Sequence, residues 1–254
     1  MSAPKTFFIT GANRGIGKGF TEKLLLRPGV TVVATARDPA KAAALNSLPK
    51  GEGSKLIILK LDSQVDADAA AAVAQLQKDY GIKSLDVVIA NAGIANSGST
   101  VSKTTPESLR EHFNTNSIGP VTLFQAVSPL LQASSTGNPI FFPISTLIGS
   151  IGSQEALAAF PQVFSPYGAS KTAINWIVSR LHFEEPWLTA FAVHPGLVLT
   201  DMGAAVIPEG VDPAAVGAID VETSVNGLLK LADTATRAEF GGKFKNYDGT
   251  ALPW

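Results

Sequence analysis

The sequence predicts an α/β fold, a single domain over residues 1–254 doubly wound around a mostly parallel seven-stranded sheet. Three observations predict it. Short β-branched or aromatic runs alternate with longer Ala- and Leu-rich stretches of helical period, the pattern of repeated βαβ units. The runs are nearly continuous in apolar side chains, as strands covered on both faces by crossover helices must be; an antiparallel sandwich would alternate instead. Hydrophobic residues make up 45% of the chain and charged residues 16%, which supplies one large core and leaves little for a disordered tail.

The first strand is expected over residues 6–10, turning through a Gly-rich stretch into a helix over 15–26. A second strand over 31–36 is followed by a short helix over 39–45, and a third strand over 55–61 by a helix over 66–80. The alanines at 67–74 suit that helix, because Ala has the highest helix propensity. After a fourth strand over 85–90, one long helix is expected over 106–133, opened by Thr105 as cap, Pro106 in the first turn and Glu107 behind it. A fifth strand over 139–145, a helix over 165–184 and a sixth strand over 188–194 follow. Residues 203–218 are rich in Gly, Pro and Ala and read as an irregular segment; with its flanks, about 201–220, it is expected to be the substrate loop. A helix over 221–232 and a weaker strand over 242–246 complete the series.

Composition narrows the partners. Lys and Arg total 20 against 21 Asp and Glu, a net charge of −1, so no field exists to hold a nucleic acid or an acidic membrane surface. No segment reaches the roughly 18 to 20 apolar residues that span a bilayer. Cys is absent, which removes disulfides and thiolate chemistry and fits a reducing compartment; together with a short N-terminal run lacking a cleavage site, this makes the cytoplasm the expected location.

Gly11, Asn13, Arg14, Gly15, Ile16 and Gly17 form the turn between the first strand and its helix. Glycines there let the backbone turn sharply and approach a pyrophosphate, whose charge meets the N–H groups of the helix start, as in a Rossmann-type dinucleotide fold. The second strand ends at Arg37. An arginine there accommodates the 2′-phosphate of NADP, and Arg14 adds a second positive charge, so NADPH is the expected cofactor. Asp38 beside it is the alternative, an acid for the ribose of NAD.

Tyr167 and Lys171 are four residues apart at the front of a predicted helix, which puts phenol and ammonium on one face. A neighbouring cation favours phenolate and is expected to lower the tyrosine pKa toward the range of a working acid. With the Gly11, Gly15 and Gly17 turn, Asn91-Ala92-Gly93, Asn116, Ser145-Thr146 and the run Pro195 to Thr200, in this order, the chain resembles the short-chain dehydrogenase/reductase family over essentially its whole length. The resemblance implies that Tyr167 protonates the substrate oxygen as hydride arrives, that Lys171 holds the cofactor ribose, and that Asn116 supports a proton relay. It implies a hydroxyl at the exit of the fifth strand, where the family's serine falls on Thr146 and Ser145 is the reserve. Asp62 is assigned to the adenine region, Asn91 and Gly93 to the floor under the adenosine ribose, and Val198 and Thr200 to the nicotinamide carboxamide. Each also has a plain reading: Asp62 as a helix cap, the Asn91 stretch as a turn.

Segments outside these motifs, around His182-Phe183-Glu184 and the ending Asp248 to Trp254, resemble fungal polyketide-pathway ketoreductases of the norsolorinic acid ketoreductase kind. The residues expected around the nicotinamide, Leu147, Ile148, 160–164 and 202–207, are apolar or small and include no Arg or Lys, so the expected substrate is a small apolar ketone or aldehyde, aromatic or polyketide-like. A non-enzymatic NADP-binding sensor or scaffold on the same fold is the alternative. Three scattered histidines show no metal spacing, so no metal is expected. Trp176 and Phe183 read as core or as the interface of a homodimer or homotetramer.

Overall fold

In a computed structural model, residues 5–254 are described apart from Ser97, Ala159 and Gln162. Strands β1 (Thr6–Ile9), β2 (Thr31–Ala36), β3 (Lys55–Lys60), β4 (Val87–Ala90), β5 (Ile140–Pro143) and β6 (Thr189–Ala190) form a parallel sheet in the order β3-β2-β1-β4-β5-β6. The order reverses between β1 and β4, which opens a crevice beyond the carboxyl ends of the strands.

The sixth predicted strand has a neighbour on each side along its whole length: Ser145 N–H donates to the Val193 carbonyl at 2.7 Å on one side, and Gly242 N–H to the Ala190 carbonyl at 2.8 Å on the other. Phe191 donates to the Phe141 carbonyl at 3.3 Å, and the next residue, Ala192, donates to Lys243 at 2.9 Å. Its second half, β7 (Ala192–His194), pairs in parallel with β10 (Phe244–Asn246), the seventh predicted strand, and β11 (Ala251–Leu252) lies antiparallel at that edge. β8 (Leu197–Val198) and β9 (Ala218–Ile219) make a separate parallel pair.

One face of the sheet is covered by helices α1 (Gly15–Leu25) and α7 (Val221–Thr234), through Phe20, Leu24, Val225 and Leu228 against Ile9, Phe142 and Phe191. The other is covered by α2 (Asp66–Tyr80), α4 (Gly119–Gln132) and α5 (Ser165–Glu184), through Leu76, Val127 and Val178 against Phe8, Val88 and Phe141. Both layers bury apolar rows on both faces of each central strand, which is why those strands read as unbroken hydrophobic runs.

Three expectations need correction. The helix expected over 106–133 is two helices, α3 (Pro106–Phe113) and α4, joined by a π-helical turn at Asn114–Ile118. The widened turn faces Asn116 inward, where its amide is held by the chain at Ile94. The segment expected as an irregular loop carries α6 (Asp201–Ala204), a 3₁₀ turn at Pro213–Val216 and β9. Of the two readings of Trp176 and Phe183, the core one falls and the interface one does not: they are 67% and 68% exposed on the outer face of α5. The short helix after β2 is a 3₁₀ helix, Pro39–Ser47, and α8 (Arg237–Phe240) follows α7. Among the described residues no helix is long and apolar enough to cross a membrane.

Candidate active site

A cleft of about 2100 Å³ runs along the carboxyl ends of the strands. Gly11, Asn13, Arg14, Gly15 and Ile16 of the turn, Arg37, Asp62, Asn91 and Gly93 line it, as do Ser145, Thr146, Tyr167, Lys171, Val198 and Thr200; of the predicted site residues Gly17 and Asn116 lie behind its wall.

At the cofactor end the turn is packed directly against Asn91 and Ala92, just beyond β4. A Cβ on Gly17 would overlap the Gly11 carbonyl and the Asn91 amide, and one on Gly11, whose φ is +65°, would meet Ala92 at 3.0 Å. Asn91 closes the arrangement by donating from Nδ2 to the carbonyls of Thr10 and Gly11 at 2.9 and 3.2 Å, and the Ala92 N–H donates to Thr10 Oγ1 at 3.0 Å. Asn13 and Ile16 line the cleft beside it. The open backbone at the start of α1 fits a pyrophosphate.

Charge at this end is distributed by the caps. Asp38 accepts from the Ala40 N–H at 3.0 Å and so serves the 3₁₀ helix after β2, whereas Arg37 is exposed on the cleft and forms no ion pair among the described residues. Arg14 is not free: its guanidinium lies 3.2 Å from Asp201 at the start of α6, across the mouth of the cleft. Asp62 accepts from the Gln64 N–H at 3.0 Å, the cap-like contact of its plain reading, while still lining the cleft.

The reaction end is built on α5 and the exit of β5. Thr146 makes a side-chain hydrogen bond to Tyr167, and its Oγ1 accepts from the Ile148 N–H at 3.3 Å. Ser145 is turned away: its hydroxyl donates to Asn175 Oδ1 at 2.6 Å, beneath the turn at Leu147–Gly149. Lys171 is 4% exposed and donates from Nζ to the Ile144 carbonyl at 2.7 Å, with Nζ 5.8 Å from the centre of the Tyr167 ring. Burial pushes the lysine down to about 8. It also pushes Tyr167 up to about 12, against the opposing Thr146 hydrogen bond. The expected depression of the tyrosine by its lysine is therefore not realised in this arrangement, because removing a phenolate from water outweighs an ammonium turned toward a carbonyl.

Asn116 is fully buried in the π-helical turn and has no spare polar atom on its donor side. Its Oδ1 accepts from Ile94 N–H at 2.9 Å, and its Nδ2 donates to the Ile94 carbonyl and to Ser170 Oγ at 2.9 and 3.0 Å. Ser170 in turn donates to the Tyr167 carbonyl at 2.7 Å. Val198 is buried, and Thr200 Oγ1 accepts from Gly203 N–H at 3.2 Å, capping α6. The expected substrate walls, Leu147, Ile148, 160–164 and 202–207, line the cleft at Leu147, Ile148, Phe160, Pro161, Phe164, Met202, Gly203, Val206 and Ile207; Val163, Ala204 and Ala205 do not line it, and Gln162 lies outside the described residues. Ser170, Asp201 and the backbone of Ile94 were not singled out from the sequence. Ser170 stands inside the Tyr167 to Lys171 spacing and was open to notice; the other two carry no local signal.

The short chain dehydrogenase family model matches residues 5–209. A norsolorinic acid ketoreductase of Dothistroma septosporum is 39% identical over 254 residues, covering 98% of this chain and 92% of its own. A short chain dehydrogenase of Penicillium aethiopicum is 38% identical, covering 99% and 100%. Among solved structures, an NADPH-bound carbonyl reductase from chicken fatty liver superposes with a TM-score of 0.85 at 30% identity, covering 99% of this chain and 100% of that one.

Proposed function

The chain belongs to the short-chain dehydrogenase family, and from that premise we propose that it is an NADPH-dependent ketoreductase acting on an apolar, aromatic or polyketide-like ketone or aldehyde. The observation that carries the proposal is the contact of Thr146 with Tyr167 at the closed end of the cleft, with buried Lys171 on the same helix. We further read the whole chain as one working unit, with residues 201–220 as its substrate loop.

The cleft fits the cofactor on its own geometry. The cradle at Gly11 and Gly17 admits backbone close to a pyrophosphate, and Arg37, which has no ion-pair partner among the described residues, offers a guanidinium for a 2′-phosphate, while Asp38 is occupied as a cap. When bound, the dinucleotide supplies the hydride. The side chains do the rest. Tyr167, pushed up to about 12, keeps its proton at neutral pH and has it available for the oxygen of a reduced carbonyl. Thr146 is the hydroxyl that orients that oxygen, and Lys171 offers its ammonium to the cofactor ribose. Asn116 holds the Ile94 segment and Ser170 in place, so the distance between β4 and the start of α5 is fixed. The NADPH bound to the structurally similar carbonyl reductase and the likeness to a fungal norsolorinic acid ketoreductase support this reading.

The test is Tyr167→Phe. NADPH binding, followed by cofactor fluorescence, should stay within a fewfold of the parent protein, while turnover of neutral aryl ketones should fall by about 10²- to 10⁴-fold, the range for loss of a general acid. A variant that reduces ketones at the parent rate sinks the mechanism.

A further inference from the structure

The turn that follows Thr146 is held by side chains at consecutive backbone carbonyls. The one in the middle, of Gly149, accepts from Thr172 Oγ1 at 2.8 Å and from Asn175 Nδ2 at 3.2 Å, which fastens the turn to α5. The carbonyls before and after it go to a single side chain. Gln154 Nε2 donates to Ile148 at 3.0 Å and to Ser150 at 2.6 Å. A primary amide has two N–H groups, and here both are given to this one turn; its oxygen only accepts, so no other orientation of the amide makes these contacts. Gln154 follows the 3₁₀ turn at Ile151–Ser153 and stands exposed on the cleft wall.

What the turn controls is the direction of a proton. Ile148 N–H donates to Thr146 Oγ1 at 3.3 Å, and Thr146 also meets Tyr167. A hydroxyl has one proton and two lone pairs; with the Ile148 N–H on one lone pair, the proton is turned away from Ile148. Ile148 is thus tied at both of its backbone groups, the N–H to Thr146 and the carbonyl to Gln154. The first tie is the weaker one, because 3.3 Å lies at the long end for an N–H donor and a small rotation of the chain at Ile148 breaks it. The space around it is narrow as well: a Cβ on Gly168 would stand 3.3 Å from the Ile148 carbonyl, beside Tyr167, and one on Gly149 would overlap Lys171.

We infer that Gln154 is a positioning residue: by holding the carbonyls of Ile148 and Ser150 it keeps the Ile148 N–H on Thr146 Oγ1, and so keeps the Thr146 proton aimed at the reacting oxygen. That this oxygen belongs to a ketone rests on the reductase reading above; the hold on Ile148 does not. The effect falls on the chemical step. A hydrogen bond from Thr146 strengthens as negative charge gathers on the substrate oxygen, so misdirecting it shows in kcat and not in KM.

Two measurements decide it. Amide hydrogen exchange of the full chain, read residue by residue by NMR, should show Ile148 exchanging about fivefold faster or more in Gln154→Met and in Thr146→Ala, with the amides of β4 and β5 unchanged. An Ile148 amide that is unprotected in the parent protein, or equally protected in Gln154→Met, overturns the inference whatever the activity. The second is a double-mutant cycle read by turnover and by single-turnover NADPH oxidation. Gln154→Met should lower kcat for a neutral aryl ketone by about fivefold, the worth of a neutral hydrogen bond, with the KM for ketone and the Kd for NADPH within about twofold of the parent. Gln154→Lys, which keeps N–H donors on a chain of similar length, should restore part of the loss. In a Thr146→Ala background Gln154→Met should change the rate by less than about twofold, since the hydroxyl it serves is gone. An unchanged kcat in the single variant, a loss confined to KM, or the full loss repeated without the Thr146 hydroxyl overturns the inference. If the parent protein turns over no ketone, the reductase reading alone falls, and the exchange of Ile148 still decides whether Gln154 holds the turn.

Discussion

Lys171 is a buried ammonium that donates to one carbonyl among the described residues, and that gives the protein a pH signature of its own. The unfolded lysine titrates near 10.5 and the folded one near 8. Below pH 8 both states carry the proton and the folded state bears the whole cost of burying it. Between 8 and 10.5 the unfolded chain binds more protons than the folded one, so stability rises with pH. Against a Lys171→Met reference, the parent protein should gain about 2 kcal/mol of unfolding free energy between pH 7 and 10, measured by urea denaturation. Tyr167 runs the other way only above pH 10, since its raised pKa stabilises the fold below the unfolded value and loses effect toward 12. A flat difference between parent and variant would show that the lysine is hydrated. Arg37 belongs to the same scale. Replacing it with Asp removes a phosphate partner and sets like charge in its place, so the NADPH to NADH ratio of kcat/KM should fall by about 10²-fold or more, and equal use of the two cofactors by the parent protein would refute the assignment.

At the scale of elements, the turn from β1 into α1 is a tightly constrained piece of backbone in the cleft. A methyl group at Gly17 has nowhere to go between the Gly11 carbonyl and the Asn91 amide, so Gly17→Ala should cost about 1 to 3 kcal/mol in a melting experiment and weaken NADPH binding more than tenfold. Unchanged binding would place the cofactor elsewhere. This turn was legible in the sequence because its demands are local: glycines, a strand before, a helix after. The buried strands were legible for the same reason, each being apolar on both faces. The π-helical turn was not. Apolar spacing runs on through 106–133, and the extra residue per turn shows only when Asn116 is seen clasping Ile94 from 22 residues away. The choice between Ser145 and Thr146 was closed to sequence for a related reason: neighbours on a strand point to opposite sides, and which side meets Tyr167 depends on how α5 docks. Two-residue strands such as β8 and β9 have too few side chains to carry a period at all.

The whole molecule is held across the sheet by aromatic contacts and at its far edge by the closing segment. Phe142 stacks on Phe191 at 5.3 Å and meets Phe20 edge-on at 6.3 Å, joining α1 to the sheet's centre. Trp254 stacks on Phe244 at 5.6 Å, its carbonyl accepts from Gly152 N–H at 2.7 Å, and the Pro253 carbonyl accepts from Ser150 at 2.7 Å. The closing residues thus brace the turns that follow Thr146. Trp254→Ala should cost about 2 kcal/mol of stability, less than a fully buried tryptophan because this one is half-exposed, and should raise KM for ketone more than it lowers kcat. An unchanged KM would show that the brace does not reach the substrate wall.

The same segment settles what the sheet presents to other molecules. A parallel sheet ends in two rows of unpaired N–H and C=O groups, each a template on which a second chain can add strands and begin to aggregate. On one side β11 occupies that template with only two residues and Pro253 directly follows, so the exposed border is short and is interrupted by a residue with no donor. On the other side β3 begins and ends with exposed lysines: Lys55 sets a charge against a matching strand from a second copy, while Lys60 is paired with Asp68 at 2.8 Å and adds bulk at the border. A chain that is 45% hydrophobic and near electrical neutrality has little general charge repulsion to keep it dispersed. Its resistance to fibrillar self-association therefore falls to these few residues at the two borders.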